Sequence, residues 1–306
     1  MKSTNYLFLL AFSLLTGLNS RAQDQSGVDS TGLPGDNFSL QGALEMFKKA
    51  GSPEEFEKLI NTQDNSVNNL DLDGDGNIDY VKVIDKSEKD VHAFVLQVAV
   101  SETENQDIAV IELEKTGDTT ANLQIVGDED IYGNEVIVEP GEGDDDGAFI
   151  DEYNSSVASG PNPGYYQPNP RVIINVWFWP SVRFVYGPVY RPWISPWRWS
   201  HYPGWWRPWR PMPWHVYHPL CARYYRPYAI VHTHRVVYAH RFYRPLRVSS
   251  VTVRTRHQAA VGNYRVTHTR TTISGPRGNK AVRRTTTVEG PRGNKVRKTN
   301  TRIRRR

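Results

Sequence analysis

The residues whose types and spacing point most clearly to chemistry are Asp71, Asp73, Asp75 and Asp79, within the segment DLDGDGNID. Hard cations such as Ca²⁺ take about six to eight oxygen ligands. Carboxylates at positions 1, 3, 5 and 9, with the backbone carbonyl of Asn77 at position 7, supply most of such a shell. Four like charges repel one another without a cation. The spacing therefore predicts a loop that holds one Ca²⁺ ion as a cofactor.

Gly76 permits the sharp turn that such a loop needs. Over nine to twelve residues the segment resembles the DxDxDG calcium loops of EF-hands, dockerins and integrin-type β-propellers. The resemblance implies side-chain ligands at Asp71, Asp73, Asp75 and Asp79 and a backbone ligand at Asn77. Lys82 stands where an EF-hand has its bidentate Glu, and a strand follows in place of a helix, so the propeller-type loop is closer. The alternative interpretation is an acidic, solvated turn.

Two helices and a sheet must position this loop. Leu40, Leu44 and Phe47 share one helical face, and Ser52-Pro53-Glu54-Glu55 is typical of a helix start with a capping box. After the loop the apolar period changes to two, which predicts strands at residues 80–84, 92–100, 107–114, 121–126 and 135–139. We expect an α+β fold: two short helices packed on a roughly five-stranded antiparallel sheet, followed by a largely irregular or disordered basic aromatic region.

The charge changes sign along the chain. Residues 23–152 hold 32 acidic and 7 basic residues, a net −25, whereas residues 153–306 hold one acidic and 28 basic residues, a net +27. All nine Trp lie between Trp177 and Trp214. This layout excludes a single domain in which acidic and basic residues are evenly mixed.

The mean hydropathy of −0.58 excludes a polytopic membrane protein. The single cysteine, Cys221, excludes a disulfide scaffold and is either free or paired between chains.

The first 22 residues are typical of a signal peptide. Lys2 precedes an apolar run at residues 6–18, and Ser20 and Ala22 occupy the −3 and −1 positions of a cleavage site. The run is shorter than the roughly 20 residues of a membrane-spanning helix. We expect an exported mature chain without a transmembrane span, located in the periplasm, on the cell surface or outside the cell.

Residues 165–247 are rich in Trp, Tyr, Arg, Pro and His, and their prolines disfavour long helices and central strands. Short exceptions are residues 172–178 and 182–186, which favour a hairpin around Pro180-Ser181. Interfacial aromatic residues with Arg suit a membrane or lipopolysaccharide surface. They also suit single-stranded nucleic acid, on whose bases aromatic rings stack. A third partner is the acidic half of the same chain, and a fourth interpretation is a low-complexity surface without a dedicated ligand. In composition the region resembles cationic antimicrobial peptides of the indolicidin type.

The domain division that follows is a signal peptide at 1–22, a flexible N-terminus at 23–38, an acidic α+β domain at 39–140, an acidic Gly/Pro linker at 141–164, a low-complexity region at 165–247 and a basic tail at 248–306. The tail repeats GPRGNK at residues 275–280 and 290–295, which indicates hairpin turns or, as we favour, a disordered basic arm that binds polyanions.

Two weaker metal candidates exist. His232 and His234 share a strand face, and His215 and His218 share a helical face. Such pairs hold Zn²⁺ or Cu²⁺ in other proteins, but no third ligand is identifiable from the sequence, and compositional bias explains the pairs equally well. Asp128-Glu129-Asp130 is interpreted as a further ligand source or as a solvated turn.

No catalytic motif is present: the sequence contains no GxSxG, no HExxH and no phosphate-binding glycine loop. The whole arrangement resembles uncharacterised secreted bacterial proteins, which implies no activity. We expect a non-enzymatic exported calcium-binding protein whose residues 165–306 attach to an anionic surface, such as the cell envelope or lipopolysaccharide. The alternative is an extracellular nucleic-acid or polyanion binder in which the loop is only structural. A hydrolase without a recognisable motif is the third hypothesis.

Overall fold

A computed structural model describes residues 30–141, 156–158, 160–166, 173–274, 280–289 and 295–304. The expected signal peptide lies outside these residues. The same holds for most of the linker and for both GPRGNK copies except Lys280 and Lys295. Among the described residues, no helix has the length and apolar character needed to cross a membrane.

The first helix, α1 (Leu40–Lys49), begins at Ser39, whose hydroxyl accepts a hydrogen bond from the Gly42 N–H. Leu40, Leu44 and Phe47 are fully buried, as their spacing predicts. The second helix, α2 (Pro53–Ile60), begins at Ser52, which accepts from the Glu55 N–H.

The capping box of α2 is displaced by one residue. The Glu55 carboxylate accepts from the N–H of Gly51 at 2.7 Å and not from that of Ser52. The cap and the apolar stripe together still orient α2 against the sheet, because Phe56 and Ile60 are fully buried.

The five predicted strands are confirmed, and they pair in chain order as an antiparallel meander. The elements of this part are β1 (Val81–Glu88), β2 (Val91–Ala99), β3 (Asn105–Gly117), β4 (Thr120–Gly127), the short helix α3 (Glu129–Tyr132) and β5 (Val136–Pro140). The α+β fold class is therefore confirmed.

The basic aromatic region contributes to the same sheet, which the sequence analysis did not predict. Its elements are α4 (Pro180–Val185), α5 (Trp214–Cys221), β8 (Tyr228–Val231) and α6 (Val237–Tyr243). Two short strands, β6 (Ser156–Ala158) and β7 (Gly164–Tyr166), lie at or before its start, and α7 (Val251–Asn263) lies after it, in the basic tail. Strand β8 pairs antiparallel with β5, and the sheet order is β1-β2-β3-β4-β5-β8-β7-β6.

The hairpin expected at residues 172–178 and 182–186 is wrong. Residues 180–185 form α4, with Pro180 in its first turn. Proline is favoured at that position because its fixed φ suits a helix and its missing N–H needs no partner. Val182 and Val185 of this helix lie in the main core, together with side chains of α1.

The two faces of the sheet differ. One face packs on α1, α2 and α4 through apolar side chains such as Phe94, Ile111 and Leu123. The other face carries a smaller apolar cluster that includes Val95 and Val110. Helix α6 covers this second face.

The expected flexibility at 23–38 is not seen in residues 30–38. The Asp36 carboxylate accepts hydrogen bonds from the Ser30 hydroxyl and from the N–H groups of Thr31 and Gly32, and Phe38 is buried.

Cys221 is also buried, and its thiol donates to the Ser66 carbonyl. Burial raises the pKa of this thiol to about 11.

Three strands lie in the C-terminal tail: β9 (Arg265–Ser274), β10 (Lys280–Glu289) and β11 (Lys295–Arg304). They form a separate antiparallel sheet with β10 in the centre. The choice between hairpin turns and a disordered arm stays a prediction, because the repeats that would decide it lie outside the described residues.

One expected alternative for Asp128-Glu129-Asp130, a solvated turn, is wrong at Asp128, which is buried, whereas the other, a ligand source, stays a prediction. Asp128 caps α3, and the Arg247 guanidinium donates to both Asp128 and Asp130 in the connection between β4 and β5. Burial, only partly offset by Arg247, raises the pKa of Asp128 to about 6.

This cluster generates a prediction for Arg247→Ala. A carboxyl whose folded pKa lies above its ordinary 3.8 favours folding at low pH, and that contribution is lost as the pH rises through about 6. Above that pH Asp128 is charged and depends on Arg247. We expect Arg247→Ala to lower the free energy of unfolding by about 2–3 kcal/mol at pH 8 and by less at pH 5. Urea denaturation at the two pH values measures this. The control is Arg254→Ala, at an exposed position, and equal losses in both variants would contradict the prediction.

Candidate metal centre

The aspartate loop lies between α2 and β1, and its backbone is held in a tight turn by its own side chains. Asp71 accepts from the N–H groups of Gly74 at 2.8 Å and Gly76 at 3.1 Å. Gly74 and Gly76 have φ values of 73° and 84°, in the left-handed region that favours glycine. The two glycines therefore allow the turn that the sequence predicts.

Three of the predicted ligands converge. One carboxylate oxygen from each of Asp71, Asp73 and Asp79 lies within 4.8 Å of the other two. Asp75 is outside this group, and its carboxylate accepts from the backbone N–H of Asn77 at 2.7 Å and from the Asn77 side chain at 3.2 Å. The Asn77 carbonyl stays a predicted ligand.

Asp79 is the buried member of the group. It is 7% exposed, and one of its oxygens accepts from the Leu72 N–H at 2.5 Å. Burial is the main cause that raises the pKa of this carboxyl well above its ordinary value, and the negative charges of Asp73, Asp71 and Asp75 raise it further. Burial and neighbouring charges also raise the pKa of Asp73.

These residues fit a hard divalent cation. Confining several carboxylates around a partly buried point is costly when all are charged, and a cation at that point offsets the repulsion. The donor set consists of oxygens alone, which suits Ca²⁺ or Mg²⁺ better than zinc.

The basic half of the chain contacts the loop on two sides, while its tip at residues 74–76 is exposed. The Ile78 N–H donates to the Trp209 carbonyl at 2.7 Å. The Tyr80 ring meets that of Trp206 edge-on, with 5.1 Å between ring centroids. On another side, Arg256 of α7 donates to the Leu72 carbonyl. Its guanidinium lies so close to Gly74 that a Cβ there would come within 3.2 Å of it.

Sequence reasoning identified the aspartates but not these contacting residues. Trp209 and Arg256 follow the end of the loop by at least 130 positions, and no motif links them to it. The charge asymmetry was the one available signal, and it indicated an attraction between the halves without specifying contacts.

In comparisons with known proteins, no family model matches the chain, and no curated protein or solved structure shows significant similarity to it. Function is therefore argued from the site and its surroundings.

The position of Arg256 leads to a prediction. A positive charge beside the loop opposes cation binding, and Gln at this position retains a donor for the Leu72 carbonyl. We expect Arg256→Gln to tighten binding of Ca²⁺ at low ionic strength by about 1 kcal/mol, or roughly fivefold. Calorimetric titration at low and high salt measures this, and screening should reduce the gain. Arg254→Gln removes the same charge from an exposed position of α7 and is the matched control. Weaker binding by Arg256→Gln, or an equal change in the control, would contradict the prediction.

Proposed function

We propose that this chain is a non-enzymatic, exported protein that binds one Ca²⁺ ion in the loop of residues 71–79 and attaches to an anionic surface through its basic aromatic half. The convergence of Asp71, Asp73 and Asp79, with Asp79 buried, is the observation that supports the calcium site best. Asp75 and the Asn77 carbonyl complete the proposed ligand set after a local rearrangement of the loop.

Contacts between the halves support a calcium-dependent link. Asn69, just before the loop, exchanges hydrogen bonds with the backbone of Met212, at 2.7 and 2.9 Å. Together with the contacts of Trp209 and Trp206, these bonds join both ends of the loop to residues 206–212. A change in loop conformation on ion binding therefore reaches the tryptophans directly.

The exposed part of the basic region supports attachment to an anionic surface. Residues 189–210 contain no acidic residue, and their arginines are all exposed: Arg191, Arg198, Arg207 and Arg210. Large apolar side chains are exposed beside them, with Val189 84%, Ile194 67% and Trp205 47% exposed. Arginine binds phosphate groups, while Trp and Tyr favour the interface between headgroups and acyl chains.

Many other basic and polar groups of this half already contact acidic side chains. Arg235 pairs with Glu139, and Arg247 pairs with Asp128. This supports the docking of the two halves on each other and leaves the exposed side chains of residues 189–210 as the proposed external surface. The alternative function, an extracellular nucleic-acid or polyanion binder, is favoured by the alternation of Trp and Arg in the same segment.

Calcium titration of the chain from residue 23 onward, followed by Trp fluorescence and calorimetry, tests the ion site. We expect one site of micromolar to millimolar affinity and a fluorescence change, since every Trp lies in the other half. Asp79→Asn and Asp73→Asn should lose both signals because each removes a converging carboxylate. Asp118→Asn, in an exposed turn, should keep both. Absence of heat in the wild-type protein would refute the calcium proposal.

Attachment is tested by replacing Arg191, Arg198, Arg207 and Arg210 with Gln. We expect this variant to bind lipopolysaccharide-containing vesicles more weakly than the wild-type protein, because four phosphate contacts are lost. The control replaces four other exposed arginines, Arg226, Arg241, Arg244 and Arg254, and should bind almost as well as the wild type.

The same proteins are then compared on single-stranded DNA across a salt series. Stronger binding to vesicles than to DNA supports the surface proposal. Equal binding, with a salt slope that falls by roughly 3 in the first variant, supports the polyanion alternative. If the two variants behave alike on both ligands, residues 189–210 are not the attachment surface.

A further inference from the structure

A second set of ligating side chains meets on the face of the sheet that α6 covers. Glu112 lies on β3, His234 lies between β8 and α6, and His240 lies on α6. One ligand atom from each lies within 4.8 Å of the other two. The pairing of His234 with His232 or of His215 with His218, considered from the sequence, did not indicate this combination.

The two imidazole rings are stacked face to face, with 3.7 Å between centroids and 26° between planes. His240 Nδ1 lies 2.8 Å from Glu112 Oε1. On the other side of the pair, His234 Nε2 lies 3.3 Å from a carboxylate oxygen of Glu135. The neutral form of imidazole is the one that binds metals, so metal binding at these two rings competes with protons.

Gln124 holds two of the three ligands in place. It is directly opposite Glu112 in the β3–β4 register, and its Nε2 donates to Glu112 Oε2 at 2.6 Å. The same nitrogen lies 3.0 Å from His234 Nδ1. Gln124 Oε1 accepts from the backbone N–H groups of Arg235 and Val236, which fixes the amide orientation. Supporting hydrogen bonds of this kind orient metal ligands.

The donor set differs from that of the aspartate loop. Two imidazole nitrogens and one carboxylate oxygen suit zinc and its neighbours in the first transition series, whereas the loop offers oxygens alone. Tetrahedral zinc has bonds of about 2.0–2.2 Å, so its ligand atoms are roughly 3.3 Å apart. In the structure these atoms lie within 4.8 Å of one another, so zinc binding requires them to approach by up to about 1.5 Å. A cation there also neutralises Glu112, which is fully buried.

The two histidines of the cluster line a cavity of about 810 Å³ that is widely open to solvent, together with Glu135, Arg241 and Arg244, whereas Glu112 lies behind them. The cavity gives an ion access from solvent and leaves room for a fourth, non-protein ligand. Three protein ligands with one open position form the arrangement in which zinc retains water.

We propose that Glu112, His234 and His240 form a binding site for a first-row transition-metal dication of the zinc type, separate from the aspartate loop, with an open fourth position facing the cavity. Glu112 and the two histidines are the ligands, and Gln124 is a positioning residue.

Titration of the chain from residue 23 onward with Co²⁺ tests this site. We expect one equivalent to bind, to produce the visible absorption bands of tetrahedral cobalt and to be displaced by Zn²⁺. His234→Ala and His240→Ala should each weaken Co²⁺ binding by at least about tenfold. His215→Ala removes an exposed histidine and should leave the affinity unchanged.

Asp73→Asn separates the two proposals, because it removes a loop carboxylate and should not alter Co²⁺ binding. Near-ultraviolet circular dichroism establishes that each variant is folded. His234→Gln, which retains polar contacts with its neighbours, replaces the alanine variant if that variant unfolds. The proposal is overturned if the folded wild-type protein binds no Co²⁺, if its spectrum is octahedral, or if His215→Ala weakens binding as much as His234→Ala does.

Discussion

A carboxylate withdrawn from water requires a hydrogen-bond donor, and this requirement joins the two halves of the chain. Glu57 of α2 is 2% exposed and accepts from the Trp193 indole and the Ser195 hydroxyl. Asp107 accepts from the Tyr243 hydroxyl at 2.7 Å. Eight further acidic side chains also accept hydrogen bonds from residues 190–252: Glu45, Asp85, Glu104, Glu112, Glu114, Asp128, Asp130 and Glu139. The basic half thus supplies hydrogen-bond donors to many of the buried carboxylates of the acidic half.

These contacts explain how the acidic half and the basic half of the chain are held together. Most involve hydroxyl, indole, imidazole or backbone donors, so the attraction is not a simple pairing of Arg with Asp and Glu. The tyrosines and tryptophans that make the basic half resemble a low-complexity sequence are the same groups that donate to Glu45, Glu57, Asp85 and Asp107. Aromatic side chains can cover an apolar surface and still carry a polar group at one end, which suits them to a sheet face of mixed character.

The sequence predicts those helices, strands and turns whose formation depends on residues close to one another in the chain. Both helices and the five strands of the meander follow from apolar periods and from the cap at Ser52, which acts within three positions. The aspartate spacing likewise predicts the loop. Strand β8 was not predicted because its four residues are surrounded by prolines and arginines, and its place beside β5 is set about 90 positions earlier. The cluster around His234 was missed for the same reason, since Glu112 precedes it by more than 120 positions.

Strand β8 lies inside the sheet, between β5 and β7, although it is the last strand of that sheet in sequence. Its residues pair with β5 residues that lie about 90 positions earlier in the chain. The long intervening segment must close into a loop before the two strands can pair, and such closure is slow. Because the chain is synthesised from its N-terminus, strands β1–β5 can pair before β8 exists. The outer edge of β5 then stays unpaired until residues 228–231 have been synthesised. An open edge invites pairing with other chains. Productive folding of this protein therefore depends on residues 228–231 pairing with that edge before neighbouring chains do, and strand β8 acts as the chain's own edge protection.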